Sequence, residues 1–330
     1  LNYTTGVANP YLLLEPSRSN LVVNSEYINN SASGWSTFFD TNITNNAATS
    51  PDGANNATEV ACPIGGSARI DSVNGGVAVG TYTYTFYAKG NVSVLYLNAY
   101  EDATGTTLSS TEISTLINDS NWSRIDVTFT TTAISTIRMI INSLPSGESF
   151  YIYGAQLEAG AYPTSYIPTY SASATRAADS CYKLDASDVI GQTEGTLFAE
   201  VDFDAINEES RFVQISDGTN NNRIYIGVSA SRAISFYLVS GGATLVSIFS
   251  SPYTSQTIKV AGAYSNNDFV LYVNGTQIGT DTSASVPAVN QISVGYNNIA
   301  NNRHTAYGTK QALIYKERLT NAELATLTTI

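Results

Sequence analysis

Residues 151–179 read YIYGAQLEAGAYPTSYIPTYSASATRAAD, and the fold turns on how this stretch is parsed. Tyr151, Tyr153 and Ala155 alternate with Ile152, Gly154 and Gln156, a period of two that predicts a strand. Gly160, Pro163 and Pro168 then break the pattern, while Tyr162, Tyr166 and Tyr170 make the segment too aromatic for a free tether. The stretch therefore predicts the last strand of one β-domain followed by a packed connector to a second. The boundaries expected are 1–160 for the first domain, 161–190 for the connector and 191–330 for the second domain.

The bulk numbers agree with that division. A chain of 330 residues suits two domains, each of about 150 residues on the usual size prior. Hydrophobic residues make up 43%, enough for two cores, yet only 13% of residues are charged and the net charge is -12. The surface must then be coated with Asn, Ser, Thr, Gly and the 22 tyrosines, as in extracellular β-proteins that face sugars. The 15 basic residues are spread thinly and form no electrostatic footprint for nucleic acid. The acidic balance argues against an anionic membrane surface, and no apolar run is long enough to span a bilayer. The chain starts LNYTTG with no visible leader, as a processed or excised fragment would. Cys62 and Cys181 fall on either side of the connector, and their spacing leaves both a disulfide and two free thiols open.

Strand-like alternation recurs on both sides. In the first half a short apolar run, Tyr11 to Leu14, is read as the first strand, followed by Leu21 to Val23, Ala57 to Ala61, Thr81 to Ala88, Val92 to Ala99, Ser123 to Thr130 and Thr136 to Ile141, with Gly65-Gly66, Gly75-Gly76 and Ser146-Gly147 as turn signals. Residues 31–51 read as a long polar stretch carrying Trp35, Phe38 and Phe39. The second half predicts ten more strands, Gly195–Asp202, Arg211–Ser216, Arg223–Val228, Ala233–Val239, Leu245–Ser250, Gln256–Tyr264, Asp268–Val273, Thr276–Asp281, Gln291–Val294 and Lys310–Tyr315, with a hairpin at Asn274-Gly275. One helix is expected, capped by Thr320 with Glu323 closing a capping box. Short strands at such spacing make an all-β chain of two antiparallel β-sandwiches in series with one short C-terminal helix.

Several strings carry a family likeness. LLLEPSRSNLVVNSE (12–26), ATSPDGANNATEV (48–60), NWSRIDVTFT (121–130) and the 151–179 stretch resemble a module of bacteriophage tail and virion proteins and related bacterial surface proteins. The resemblance implies a jelly-roll, carbohydrate-binding-like sandwich. EGTLFAEVDF, FVLYVNGTQIG and QALIYKERLTNAELATL in the second half resemble a laminin-G, concanavalin-A-like sandwich. The jelly-roll likeness of the first half implies calcium bridging an acid near the first strands and an Asp on the last. Glu26 fits the first position, but Gly154 and Ala155 stand where the second acid belongs. In the second domain Asp217, beside Asn220, Asn221 and Asn222, offers oxygens for a cation, although an Asp-Gly-Asn cluster is also an ordinary turn. No other cofactor is expected.

The binding candidates are aromatic and amide side chains. A sugar ring presents an apolar CH face, so Trp35, Phe38 and Phe39 in a polar loop could stack on one; the alternative is that Trp35 plugs the end of its own sandwich. Trp122 opens an alternating strand and is assigned to the core. Asn297, Asn298, Asn302, Arg303 and His304 lie in the loop YNNIANNRHTAYG, where amides and guanidinium suit vicinal hydroxyls. His304 has no nucleophile motif to serve. Glu200, Asp202 and Asp204 share one strand face without the third acid of concanavalin-A-like hydrolases, Ala205 standing there, and read as acids that discourage edge pairing.

The reading is thus a non-catalytic adhesion module, not an enzyme, in a virion appendage such as a tail fibre, extracellular and binding host cell-surface polysaccharide. Partners would be that glycan and other virion proteins, with a homotrimer implied by the resemblance, and neither nucleic acid nor membrane. The alternatives are a structural virion protein that never touches sugar and the binding part of a secreted polysaccharide-degrading enzyme. Opposed carboxyls, or a histidine facing a tyrosine, along a deep groove would point to catalysis instead.

Overall fold

A computed structural model describes residues 11–28, 34–63, 65–203, 208–300, 302–304 and 308–330. The chain divides into two compact units: Ser17–Ala177, and Ala178–Ile330 together with the residues up to Pro16. Among the described residues no helix is long and apolar enough to cross a membrane.

The first unit runs β1 (Arg18–Asn20), β2 (Trp35–Phe39), β3 (Asn42–Ala48), β4 (Ala57–Ala61), β5 (Ser67–Val77), β6 (Gly80–Gly90), β7 (Tyr96–Glu101), β8 (Thr106–Glu112), β9 (Ser123–Thr131), β10 (Ser135–Pro145), β11 (Ser149–Ala159) and β12 (Ala174–Arg176). Two five-stranded antiparallel sheets, ordered β2-β5-β10-β7-β8 and β3-β4-β11-β6-β9, form the sandwich, and β1 pairs β12 as a small ribbon. Alternation sorts each strand's side chains. Ile137, Met139 and Ile141 of β10 enter the core with Ile70, Leu97, Tyr84, Phe86 and Phe150, while Arg138 and Asn142 take the opposite face. Each fully buried side chain of that size stabilises the unit by about 1.5–3 kcal/mol.

Three sequence expectations change here. Residues 31–51 are not a loop: β2 and β3 run through them. Gly75-Gly76 is not a turn but a bulge inside β5, where the pairing with β10 skips between Asn74 and Val77 and Gly76 takes φ 70°. The apolar run Tyr11 to Leu14 supplies one bridge, Leu12 to Thr309, and no strand.

The connector also differs from expectation, because residues 161–177 pack with the first unit and 178–190 with the second. The cause lies in the GAQLE string. Gly154, at φ 65°, bulges β11 between Tyr153 and Gln156. Beyond the bulge, the buried Glu158 carboxylate accepts from Thr164 N at 2.8 Å, Thr164 Oγ1 at 2.6 Å and Gln156 Nε2 at 2.6 Å. Gln156 Oε1 accepts from Ile167 N at 2.7 Å. Two buried polar side chains thereby satisfy the backbone of the proline-broken segment and fold it onto its own sandwich.

The second unit runs β13 (Tyr182–Lys183), β14 (Glu194–Phe203), β15 (Ser210–Ser216), β16 (Arg223–Val228), β17 (Ala233–Ser240), β18 (Ala243–Pro252), β19 (Gln256–Ser265), β20 (Asp268–Val273), β21 (Thr276–Asp281), β22 (Gln291–Val294), β23 (Gly308–Tyr315) and α1 (Asn321–Leu327). A six-stranded sheet, β13-β22-β15-β16-β17-β18, faces a five-stranded one, β21-β20-β19-β14-β23. Phe212, Ile224, Phe236, Val260 and Leu271 meet between them. Asn274 and Gly275 turn the β20–β21 hairpin with φ 48° and 77°, the left-handed pair a type I′ turn requires. The capping box forms as expected, Thr320 accepting from Glu323 N and Glu323 from Thr320 N, and Leu324 seats the helix on Phe198 and Val270.

Candidate functional site

The outward face of the β2-β5-β10-β7-β8 sheet holds a groove of about 670 Å³ lined by Phe38, Arg69, Asn98, Tyr100, Thr107, Arg138, Ile140 and Asn142. Strand pairing sets its layout. Phe38 stands opposite Arg69, Tyr100 opposite both Arg138 and Thr107, and Asn98 opposite Ile140. The Arg69 guanidinium lies over the Phe38 ring at 4.7 Å from its centre. Asn98 Nδ2 donates to Asn142 Oδ1 at 3.2 Å, which leaves an amide oxygen on Asn98 and an amide nitrogen on Asn142 for a ligand. Two aromatic planes among amides and guanidiniums are what a pyranose needs: an apolar surface for its CH face and paired donors and acceptors for vicinal hydroxyls.

Asp71, on the same sheet face as Arg69, is fully buried and ion-paired to it, with Arg138 close by; Arg138 is held mainly by Asp102 at the rim. The hydrogen bonds to Asp71 and Asp102 raise both guanidinium pKa values further, so each stays charged.

The aromatic trio expected from sequence is split by the pleat. Trp35 is 4% exposed, its ring in the core and its Nε1 donating to Asn24 O at 2.7 Å, so it offers no plane to a ligand. Phe38, three positions on and therefore on the other face, lines the groove. Phe39 is 76% exposed at the strand end, with φ 58°, and is not part of the groove lining. Trp122 is half-buried and bonds Thr49 O.

The Asn-rich loop separates in the same way. His304 is buried, stacks on Tyr296 with ring centres 5.1 Å apart, and has Nε2 3.1 Å from Asp179 O. A histidine does face a tyrosine, but as a stacked pair, and His304 is not among the residues lining the groove of the first sandwich or the cavity at Asn298. Asn297 is buried too, accepting from Gln214 Nε2. Arg303 pairs with Glu209 at 2.7 Å, and Asn302 is exposed. Among the described residues of the loop, Asn298 lines a smaller cavity of about 380 Å³ with Tyr182, Gln291 and Tyr296.

Glu26 is enclosed by hydrogen-bond donors, three phenol hydroxyls and one amide. Its carboxylate accepts from the Tyr166 and Tyr170 hydroxyls and Asn56 Nδ2 at 3.1–3.3 Å, and lies 3.2 Å from the Tyr153 hydroxyl, whose single proton it shares with Asp52. Tyr153 donates to Asp52 at 2.8 Å, and burial together with that carboxylate drives the Tyr153 pKa far up. Asp52 itself is held well below the usual carboxylate range by Ser50, the Ala54 N–H and Tyr153. Phenols and an amide thus occupy the lone pairs that a hard cation would need, and the residues do not fit calcium. Asp217 is likewise taken up by Thr219 and Asn222 in a turn. Among the described residues no three of His, Cys, Asp and Glu gather as a metal-ligand group. Cys62 and Cys181 are free thiols.

Glu200 and Asp202 do not guard an edge, because β14 lies between β19 and β23. They face cations on those neighbours, Lys259 at 4.0 Å and Lys310 at 2.6 Å. Asp204 and Ala205 lie outside the described residues.

Residues 176–325 match the family model described as the concanavalin A-like lectin/glucanases superfamily. That match covers the second sandwich. No curated protein matches the chain. Among solved structures the chain is similar to the Ruminococcus gnavus IT-sialidase CBM40 (16% identity over 42% of this chain and 84% of that chain, TM-score 0.36). It is also similar to the NanB sialidase of Streptococcus pneumoniae (14%, 46% and 28%, 0.37) and to the SAP-like pentraxin of Limulus polyphemus (13%, 40% and 68%, 0.32).

Sequence reading missed Arg69, Asn98, Tyr100, Thr107, Arg138 and Asn142. The signal was present for four of the six. Asn98 and Tyr100 alternate with Leu97 and Ala99, and Arg138 and Asn142 with Met139 and Ile141, so polar or aromatic residues at every second position marked an outward face. Arg69 and Thr107 sit on β5 and β8, which glycines and hydroxyl residues disguise as loops.

Proposed function

We propose that the chain is a non-catalytic glycan-binding module whose binding face is the Phe38–Tyr100 groove of the first sandwich. The groove's chemistry supports this reading: two aromatic planes, an amide pair with free valences, and two oriented guanidiniums. The family match of residues 176–325 to lectins and glucanases lies in the second sandwich and supports the glycan reading of the chain, not the placing of the groove. The carboxylates nearest the groove, Asp71 and Asp102, are ion-paired, which suits holding and not hydrolysis.

The finer form of the proposal is an extracellular adhesion module of a phage virion appendage that binds host surface polysaccharide, supported by the sequence strings that resemble tail proteins. Weak sites suffice in a homotrimer, since linked sites multiply affinity. An array of bacterial surface polysaccharides tests the reading, with Phe38→Ala and Tyr100→Ala in parallel. Binding lost in both variants is the expected result. Absence of binding to every polysaccharide favours the structural virion protein, and new reducing ends or unsaturated products favour the enzyme. Light scattering tests the trimer, and a monomer at micromolar concentration removes it.

A further inference from the structure

The groove's two guanidiniums bring almost no net charge to a ligand. Arg69 sets Nε and Nη2 against Oδ1 and Oδ2 of Asp71 at 2.7 and 2.6 Å, and that carboxylate, two positions along β5 on the same sheet face and opposite Ile140, is itself fully buried. Arg138 sets Nε at 2.8 and 3.1 Å from the two oxygens of Asp102, with Nη1 3.9 Å from Asp71. Two cations therefore stand against two carboxylates. An anionic sugar meeting the guanidiniums meets both carboxylates a few ångströms away, so attraction and repulsion nearly cancel. Arg69 cannot turn away to form a fresh pair, because that would strand Asp71 buried and unpaired. The net charge of -12 adds repulsion at low salt. What remains on Arg69 and Arg138 are N–H groups not engaged by the aspartates, which are strong donors to a neutral hydroxyl oxygen.

We propose that the groove selects uncharged glycans, and that Asp71 and Asp102 determine this specificity by holding Arg69 and Arg138 as charge-compensated donors. The inference rests on the groove being the glycan site.

Calorimetric titration of the full chain with maltohexaose, cellohexaose and laminarihexaose as neutral probes, and hexagalacturonate and sialyllactose as anionic ones, tests it at low and high salt. The expected result is binding of at least one neutral probe, changed less than about twofold by salt, and anionic binding at least about tenfold weaker. Asp102→Asn, at the partly exposed rim pair, should gain about fivefold or more for hexagalacturonate at low salt and lose that gain at high salt. Asp71→Asn should do the same if it folds; Asp102→Asn keeps the test open if it does not. Equal or preferential binding of an anionic probe by the unaltered chain, abolished by Tyr100→Ala, overturns the inference and leaves the glycan reading standing. An unchanged anionic affinity in Asp102→Asn overturns the role given to the carboxylates. Failure to bind any of the five probes counts against the glycan reading itself, and the inference falls with it.

Discussion

Trp35 and Phe38 sit three residues apart on one strand and do opposite work. Truncating Trp35 empties a core site, so Trp35→Ala should destabilise the first sandwich by about 3–5 kcal/mol. Both tryptophans lie in that unit, so urea unfolding followed by the fluorescence of Trp122 reads the loss. Phe38→Ala should leave stability within about 0.5 kcal/mol and weaken glycan binding about tenfold, or 1.4 kcal/mol. Loss of binding in Trp35→Ala at full stability would contradict this division of roles. Glu101 supplies the pH dependence. Thr132 and Thr104 hydroxyls and the Ala133 and Thr132 N–H groups donate to this buried carboxylate and hold its pKa at about 2, from an ordinary 4.5. A depressed carboxyl stabilises the fold above its unfolded pKa and stops doing so as protons bind the folded form. Stability should therefore decline as pH falls from 4.5 towards 2, and Glu101→Gln should flatten that slope while lowering stability near neutrality.

Strands were legible where a run of strand-forming residues was bounded by turn signals. Arg223–Val228, Asp268–Val273, Thr276–Asp281 and Gln291–Val294 have the bounds predicted, although the first two are buried along nearly their whole length. β5 and β8 were not legible. SARIDSVNGGV carries a diglycine that reads as a turn, and only the neighbouring β10 shows it to be a bulge. TTLSSTE has one apolar residue, because β8 is an edge strand with little to bury. The helix was legible from its cap alone. Thr320→Ala removes the side-chain half of the capping box, leaving the Thr320 N–H on Glu323, and should cost about 1 kcal/mol, seen as faster amide exchange across residues 321–327. Unchanged exchange there would mean that the packing of Leu324, and not the cap, sets the helix's local stability.

For the whole molecule, the low charged fraction with a net charge of -12 leaves hydroxyls, amides and tyrosines to meet a partner. If binding is by stacking and neutral hydrogen bonds, polysaccharide affinity should persist at high ionic strength, where charge-driven adhesion would weaken steeply. A steep salt dependence measured on immobilised polysaccharide would contradict that mode. Composition and period two were enough to determine an all-β chain, two sandwiches and the capped helix, because burial of every second residue is a local consequence of the strand. The sequence by itself also marked Phe38 as a candidate. Only the tertiary structure decided that Trp35 is core, that His304 is packed on Tyr296, and that residues 161–177 belong to the first unit. It alone assembled the groove, since Phe38, Arg69, Tyr100, Arg138 and Asn142 come from four strands whose order β2-β5-β10-β7 is set by long-range pairing. A strand's own alternation says which residues face outward; which other strands lie beside it depends on contacts far apart in the chain.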